Sequence, residues 1–268
     1  MCHASDARPP DVPADLSRIP PIAGGALDSE RLVLAASDGN RLAAFLARAP
    51  QPSGSAVVIF PDNRGLGTFY EELALRFAEV GHDAIAFDYF GRTAGTEPRA
   101  PGWDPAPHRQ QVSAETVAAD ARAAAQRLRA AVGEGLASLF TVGFCFGGRH
   151  SLLQSVDGSS TAPDGVIAFY GVLASRPPEP GPLDRVDEMR APVLALFGGE
   201  DQAIPRPQID ELDAGLTRRR VDHEIHVYPR ATHSFFDRRA AEFRDEADDA
   251  WHRVVGWIAA HSQVSGTP

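Results

Sequence analysis

The segment Gly143-Phe144-Cys145-Phe146-Gly147, directly after the apolar run 139–142, constrains this chain more than any other. It has the pattern glycine, any residue, nucleophile, any residue, glycine, with a cysteine at the centre. A nucleophile on a tight strand-to-helix turn must adopt a strained backbone. A Cβ two residues away on either side would collide with that turn, which is why both positions are glycine. The turn lifts the side chain clear of the sheet and leaves the Phe146 N–H free to stabilise an oxyanion.

Two further residues follow in a telling order. Asp201 lies in Gly198-Gly199-Glu200-Asp201, after the apolar run 193–197, and His233 lies in Ala231-Thr232-His233-Ser234-Phe235, after the run 225–228. Taken singly, each has a bland reading. A cysteine among apolar residues is often a small buried hydrophobe, Asp201 suits a loop or cap, and His233 is one of nine histidines. Their order (nucleophile, acid, histidine) and their placement after strands make them a candidate catalytic trio.

Composition narrows the alternatives. At 268 residues the chain has the size of one large α/β domain rather than two small ones, and it can bury a core without a disulfide or metal staple. No apolar stretch reaches membrane-spanning length, and residues 1–21 lack the apolar core of a secretory signal. Cys2 and Cys145 are far apart in sequence, so no disulfide framework is indicated and a reduced, cytoplasmic setting is expected. The net charge is −10, with arginine as the only basic residue besides histidine. That charge argues against a nucleic-acid partner. The arginine run 218–220 reads as the solvated end of a helix. His223 and His226, three apart on a strand, face opposite sides, so no metal site is expected there.

Residues 1–28, rich in proline and polar residues, read as an arm or disordered leader, and 29–268 as the folded domain. Segments 31–36 and 42–49 bracket Asp38-Gly39-Asn40, a hairpin turn signal. Runs 56–60, 83–88, 139–142, 166–170, 193–197 and 223–228 read as strands. Segments 69–80, 112–132, 149–155, 209–216 and 240–260 read as helices. This alternation predicts an α/β fold with a mostly parallel sheet and helices on both faces. One long loop, 89–111, carries Tyr89, Arg92 and Trp103. It leaves the carboxyl end of a strand, where ligands bind in such sheets.

From about residue 31 to 260 the chain resembles the dienelactone hydrolase family of α/β-hydrolases. The motifs that carry this are Gly143-Phe144-Cys145-Phe146-Gly147-Gly148, Gly198-Gly199-Glu200-Asp201 and Tyr228-Pro229-Arg230-Ala231-Thr232-His233-Ser234-Phe235. The resemblance implies an α/β-hydrolase fold and hydrolysis of small-molecule esters or lactones through an acyl-thiol intermediate, with no metal or organic cofactor. It also implies roles for further residues. Asp62, in Pro61-Asp62-Asn63-Arg64-Gly65, matches an acid that holds the resting thiol and takes its proton. It is aspartate here, against the family's usual glutamate. Asn63 would supply the second oxyanion N–H. Arg92, in Asp88-Tyr89-Phe90-Gly91-Arg92, matches an arginine that pairs with a substrate carboxylate. The family's second such arginine, four residues after the histidine, is Asp237 here, with Arg238 next to it. In a regular backbone Arg238 would point elsewhere. An aspartate repels a carboxylate, so neutral or less acidic esters are the expected substrates.

Chemically, free cysteine titrates near ~8.5 and is a nucleophile as thiolate. His233 would take the thiol proton and return it to the leaving alkoxide, while Asp201 would fix the histidine tautomer. Amides, with poorer leaving groups, fit less well than esters, lactones or thioesters. Tyr89, Phe90, Trp103, Phe144, Phe146, Tyr170, Phe235 and Phe236 are candidates to line an apolar pocket, and most suit the core equally well. Two alternatives stay open: an esterase or thioesterase acting on an unrelated acyl group, and a non-catalytic ligand-binding or redox-sensing domain in which Cys145 is merely oxidisable.

Overall fold

The computed structural model describes residues 7–18, 28–100 and 102–263. Strands β1 (Ser29–Ala35) and β2 (Arg41–Ala47) form the expected hairpin, followed by β3 (Ser55–Phe60), α1 (Thr68–Glu79) and β4 (Asp83–Phe87). The long loop contains two single-turn helices, α2 (Gly91–Ala94) and α3 (Ala106–Arg109), and leads into α4 (Ala114–Val132). The chain continues through β5 (Ser138–Phe144), α5 (Phe146–Leu153), β6 (Gly165–Phe169), α6 (Pro182–Arg185) and β7 (Val193–Gly198). It closes with α7 (Arg206–Arg219), β8 (His223–Tyr228) and α8 (Arg244–His261).

The eight strands make one sheet in the order β1-β2-β4-β3-β5-β6-β7-β8. Only β2 runs against its neighbours; the pairs from β4 to β8 are parallel. Alternation along the strands divides the core between two faces. On β3, Val57 and Ile59 face one apolar layer with Phe77 of α1 and Trp251 of α8. Ala56, Val58 and Phe60 face the other, with Val117, Ala121 and Leu128 of α4. The central strands are buried on both sides, which is why they read as continuous apolar runs in the sequence.

Local chemistry sets the element ends. Gly39, at φ +84, turns the hairpin, and its N–H donates to the Ala36 carbonyl. Ser113 and Thr116 form a reciprocal capping box at the start of α4, and Gly133, at φ +65, stops it. The last helix begins later than the expected 240, at Arg244. Residues 234–243 are turns, entered through Ser234 at φ +65. Of the expected arm, residues 7–18 lie along α1, where the Arg18 N–H donates to the Glu79 carbonyl and Asp11 pairs with Arg76. The rest of the arm, residues 1–6 and 19–27 with Cys2, lies outside the described residues. No helix among the described residues is long and apolar enough to cross a membrane.

Candidate active site

Cys145 stands between β5 and α5 at φ 53 and ψ −109, a left-handed conformation disfavoured for a residue with a side chain. The surrounding glycines explain how the chain holds it. A Cβ on Gly143 would sit 2.1 Å from the Gly147 carbonyl oxygen, and one on Gly147 would sit 2.1 Å from that of Phe60. A Cβ on Gly148 would meet the Phe169 carbonyl oxygen at 2.6 Å. The elbow is therefore wedged against β3 and β6 and admits no larger residue at these positions. The Cys145 N–H is held by the Phe169 carbonyl at 3.0 Å.

Phe146 opens α5, so its N–H lies outside the helical ladder. Among the described residues no acceptor takes the Asn63 N–H either. The loop bearing Asn63 is fixed at several points. The Tyr70 hydroxyl accepts the Asp62 N–H at 2.8 Å. Asp62 Oδ1 takes the Arg64 N–H at 2.9 Å, and the Tyr89 hydroxyl donates to the Pro61 carbonyl at 2.8 Å.

Asp201 and His233 lie side by side. His233 Nδ1 lies 2.7 Å from Asp201 Oδ2, while Asp201 Oδ1 accepts the Ala203 N–H at 2.9 Å. With Nδ1 committed to Asp201, Nε2 is left for the sulfur. Burial pulls the imidazole pKa down, but the contacts with Asp201 and Cys145 outweigh it and raise it to about 10. Cys145, Asp201 and His233 thus converge at the carboxyl ends of β5, β7 and β8.

A cavity of about 80 Å³ opens over Cys145, bounded by Asn63, Phe146 and Val172. Arg109, Arg149 and Arg176 complete its wall. A larger hollow of about 300 Å³, between Arg230 and the start of α8, contains none of the expected site residues. Among the described residues no cluster of three or more His, Cys, Asp or Glu is arranged to hold a metal ion.

Several expected positions fall elsewhere. Arg92 does not face the cavity. Its guanidinium is held by Asp120 at 2.6 Å and Asp38 at 2.5 Å, so it is a structural ion pair. Trp103 packs on Phe90 and His108, with Arg99 over its ring at 5.1 Å. Tyr89 is 2% exposed and supports the Asn63 loop and the Phe146 ring from beneath, at 5.2 Å between ring centroids. Phe235 is fully buried against Tyr170 and Tyr228. Of the aromatic residues expected against substrate, Phe146 lines the cavity, while Tyr89 and Phe235 are buried in the core.

Asp62 forms no hydrogen bond with Cys145; its Oδ2 accepts from Arg238 at 2.6 Å. The turns after His233 are irregular, so Arg238 points into the site, against the expectation from regular backbone. Asp237 turns inward instead. It is buried, and its Oδ2 has no partner among the described residues. Burial, and then the negative charge of Asp62, raise the Asp237 carboxyl to about 7. Burial also raises Asp62, to about 6, opposed by the Arg64 N–H. Sequence reading missed Arg109, Arg149 and Arg176. Arg149 carried a signal, one helical turn after the nucleophile; the other two lie in loops and carried none.

Comparison with known proteins identifies the family and the fold. The dienelactone hydrolase family pattern matches residues 42–262. A Rhodococcus opacus protein named carboxymethylenebutenolidase is 29% identical over 273 residues, spanning 98% of both chains. A Yersinia pestis protein, provisionally given the same name, is 28% identical, covering 87% of this chain and 88% of its own. A crystal structure from Klebsiella pneumoniae subsp. pneumoniae, provisionally named a dienelactone hydrolase, superposes with a TM-score of 0.73 at 26% identity. It covers 88% of this chain and 99% of its own.

Proposed function

The chain belongs to the dienelactone hydrolase family of ester-bond hydrolases, and we propose that it opens esters or lactones through an acyl-cysteine formed at Cys145. The observation that carries this reading is the strained Cys145 elbow beside a His233 ring bonded to Asp201 at 2.7 Å.

In the first half-reaction His233 takes the thiol proton and Sγ bonds to the carbonyl carbon. The carbonyl oxygen becomes an oxyanion, met by the N–H groups of Asn63 and Phe146. Collapse breaks the bond to the alkoxide, which leaves with the proton from His233. In the second half-reaction His233 takes a proton from water, and the resulting hydroxide attacks the thioester. The acid departs and the thiol recovers its proton. Asp201 keeps Nδ1 protonated throughout and stabilises the transient imidazolium.

Asp62 has a different task in this reading from that of a proton acceptor. Paired with Arg238 and bonded to the Arg64 N–H, it holds the Asn63 loop in place. A working thiol also needs a reducing compartment, so the reading includes a cytoplasmic setting.

Turnover of p-nitrophenyl acetate tests the proposal. A stoichiometric burst of nitrophenol, abolished by prior alkylation with iodoacetamide and absent in Cys145→Ala, is expected. A burst that survives in Cys145→Ala would rule the mechanism out.

A further inference from the structure

We propose that Arg149 is a positioning residue that pins the loop 172–180 as one wall of the Cys145 cavity, and so restricts the enzyme to short acyl groups and compact lactones. This assignment rests on the hydrolase reading of the site and names its substrate class.

Arg149 lies on α5, one helical turn after Cys145, and is 4% exposed. Its guanidinium spreads over main-chain carbonyls. Nη1 donates to Ala174 at 2.5 Å, with a longer contact to Val172 at 3.5 Å. Nη2 donates to Pro180 at 2.7 Å, with a longer contact to Glu179 at 3.4 Å. One nitrogen thus holds the arm of the loop that leaves β6, and the other holds the arm that returns to α6. A planar head with donors in a fixed fork spans both arms, whereas a lysine ammonium is a compact point charge that reaches one of them.

The loop stands out from the fold beyond its base. Leu173 is buried there, and its carbonyl accepts the Leu183 N–H at 3.2 Å. A Cβ on Gly171 would sit 2.7 Å from the Arg149 backbone nitrogen, so the base presses directly on α5. Residues 175–178, at the tip, are exposed. Arg176 and Glu179 close the tip by exchanging backbone hydrogen bonds in both directions. Two side chains of this loop, Val172 and Arg176, line the cavity beside Cys145 together with Asn63 and Phe146. The Arg149 head therefore fixes the backbone from which that part of the wall projects.

The wall bears on the acyl group in particular. The cavity holds about 80 Å³, and a single water claims ~30 Å³ in the liquid. The acyl group stays on Sγ from the first half-reaction through the second, so it must fit this space whichever alcohol has left. A lactone stays on the sulfur whole, because its ring opens without releasing a separate alcohol. A pinned wall admits a compact lactone or a short acyl chain and rejects a long one; a wall free to swing outward would lose that discrimination.

The acyl-chain profile of p-nitrophenyl esters tests this. In wild type, kcat/KM for the hexanoate should lie at least about tenfold below that for the acetate, and Arg149→Ala should narrow the gap to about twofold. Methylguanidinium, well below denaturing concentrations, presents the same fork to the freed carbonyls and should restore the gap in Arg149→Ala. Arg149→Lys keeps the charge, serves if the alanine variant does not fold, and should also narrow the gap. Val172→Ala cuts back the wall without touching the Arg149 contacts and should do the same. Cys145 reports the wall without turnover as well. Its alkylation by N-benzyliodoacetamide relative to iodoacetamide, read by peptide mass mapping to separate it from Cys2, should rise in the Arg149 variants. A wild type that uses both esters equally, a gap and an alkylation ratio unchanged in the Arg149 variants, or methylguanidinium that restores the melting temperature but not the gap, each overturns the proposal. A protein that turns over no ester yet shows the alkylation shift would instead overturn the hydrolase reading and leave the pinned wall standing.

Discussion

Arg238 sets its guanidinium 2.6 Å from the Asp62 carboxylate, joining the turn after His233 to the loop that carries Asn63. Asp62 is 4% exposed, and Asp237, also 4% exposed, lies close enough for the two carboxylates to repel. The Arg238 guanidinium thus answers one of two neighbouring buried acids.

That imbalance has a pH signature. Asp237 is raised in the fold to about 7, against ~3.9 in an unfolded chain. A carboxyl raised by folding contributes stability that is complete below the unfolded pKa and is lost as pH rises through the folded one. Asp237→Asn removes this dependence. Relative to wild type, the variant should gain roughly 2 kcal/mol between pH 5.5 and pH 8.5. Urea midpoints at the two pH values measure it. A constant difference between variant and wild type would show that Asp237 stays ionised throughout.

The elbow glycines give a paired prediction. Gly147→Ala would bring a Cβ to within 2.1 Å of the Phe60 carbonyl oxygen and 2.2 Å of that of Pro61. Neither backbone can yield without moving β3 or the Asn63 loop, so a cost above about 3 kcal/mol and loss of activity are expected. Gly256, inside α8, has no atom within 4 Å of its would-be Cβ. Gly256→Ala should stabilise by about 0.5–1 kcal/mol through helix propensity alone. Thermal melts of the two variants should move in opposite directions.

Much of this was legible in the chain. The Asp38-Gly39-Asn40 hairpin, the buried central strands and the Cys145 elbow are written in local residue types. Asp201 and His233 follow strands, so their convergence comes from the parallel topology. The parts that were not legible depend on distant segments meeting. Nothing near Arg92 in sequence announces that Asp38 and Asp120 will fill its guanidinium. The direction of Arg238 depends on turns between Ser234 and Arg244, where a single positive φ changes which residue faces inward. Arg109 and Arg176 lie on opposite sides of Cys145 in sequence, yet both line the cavity beside it.

Removing the orienting acid tests the base. Asp201→Asn keeps the shape but loses the charge that helps hold His233 as far up as about 10. The turnover rate should drop by roughly 10²–10⁴. The acidic limb of the pH–rate profile, set by the base that must be unprotonated to act, should also shift to lower pH. Unchanged kcat with an unshifted profile would point to another carboxylate as the orienter.

Arg92 offers the clearest separation between a structural and a substrate-binding arginine. Its partner Asp120 has a side chain only 1% exposed, with Asn40 Nδ2 as its other donor at 2.9 Å. Arg92→Ala would leave that carboxylate buried with one neutral partner. The cost should be about 2 kcal/mol, or a melting temperature lower by roughly 4–8 °C for a domain of this size. Asp120→Asn in the same background should restore part of it, since an amide tolerates burial better than a charge. The KM for a carboxylate-bearing ester should not respond to Arg92→Ala. A variant at position 92 that melts normally but loses affinity for the anionic ester would return Arg92 to the substrate and undo its assignment as a structural pair.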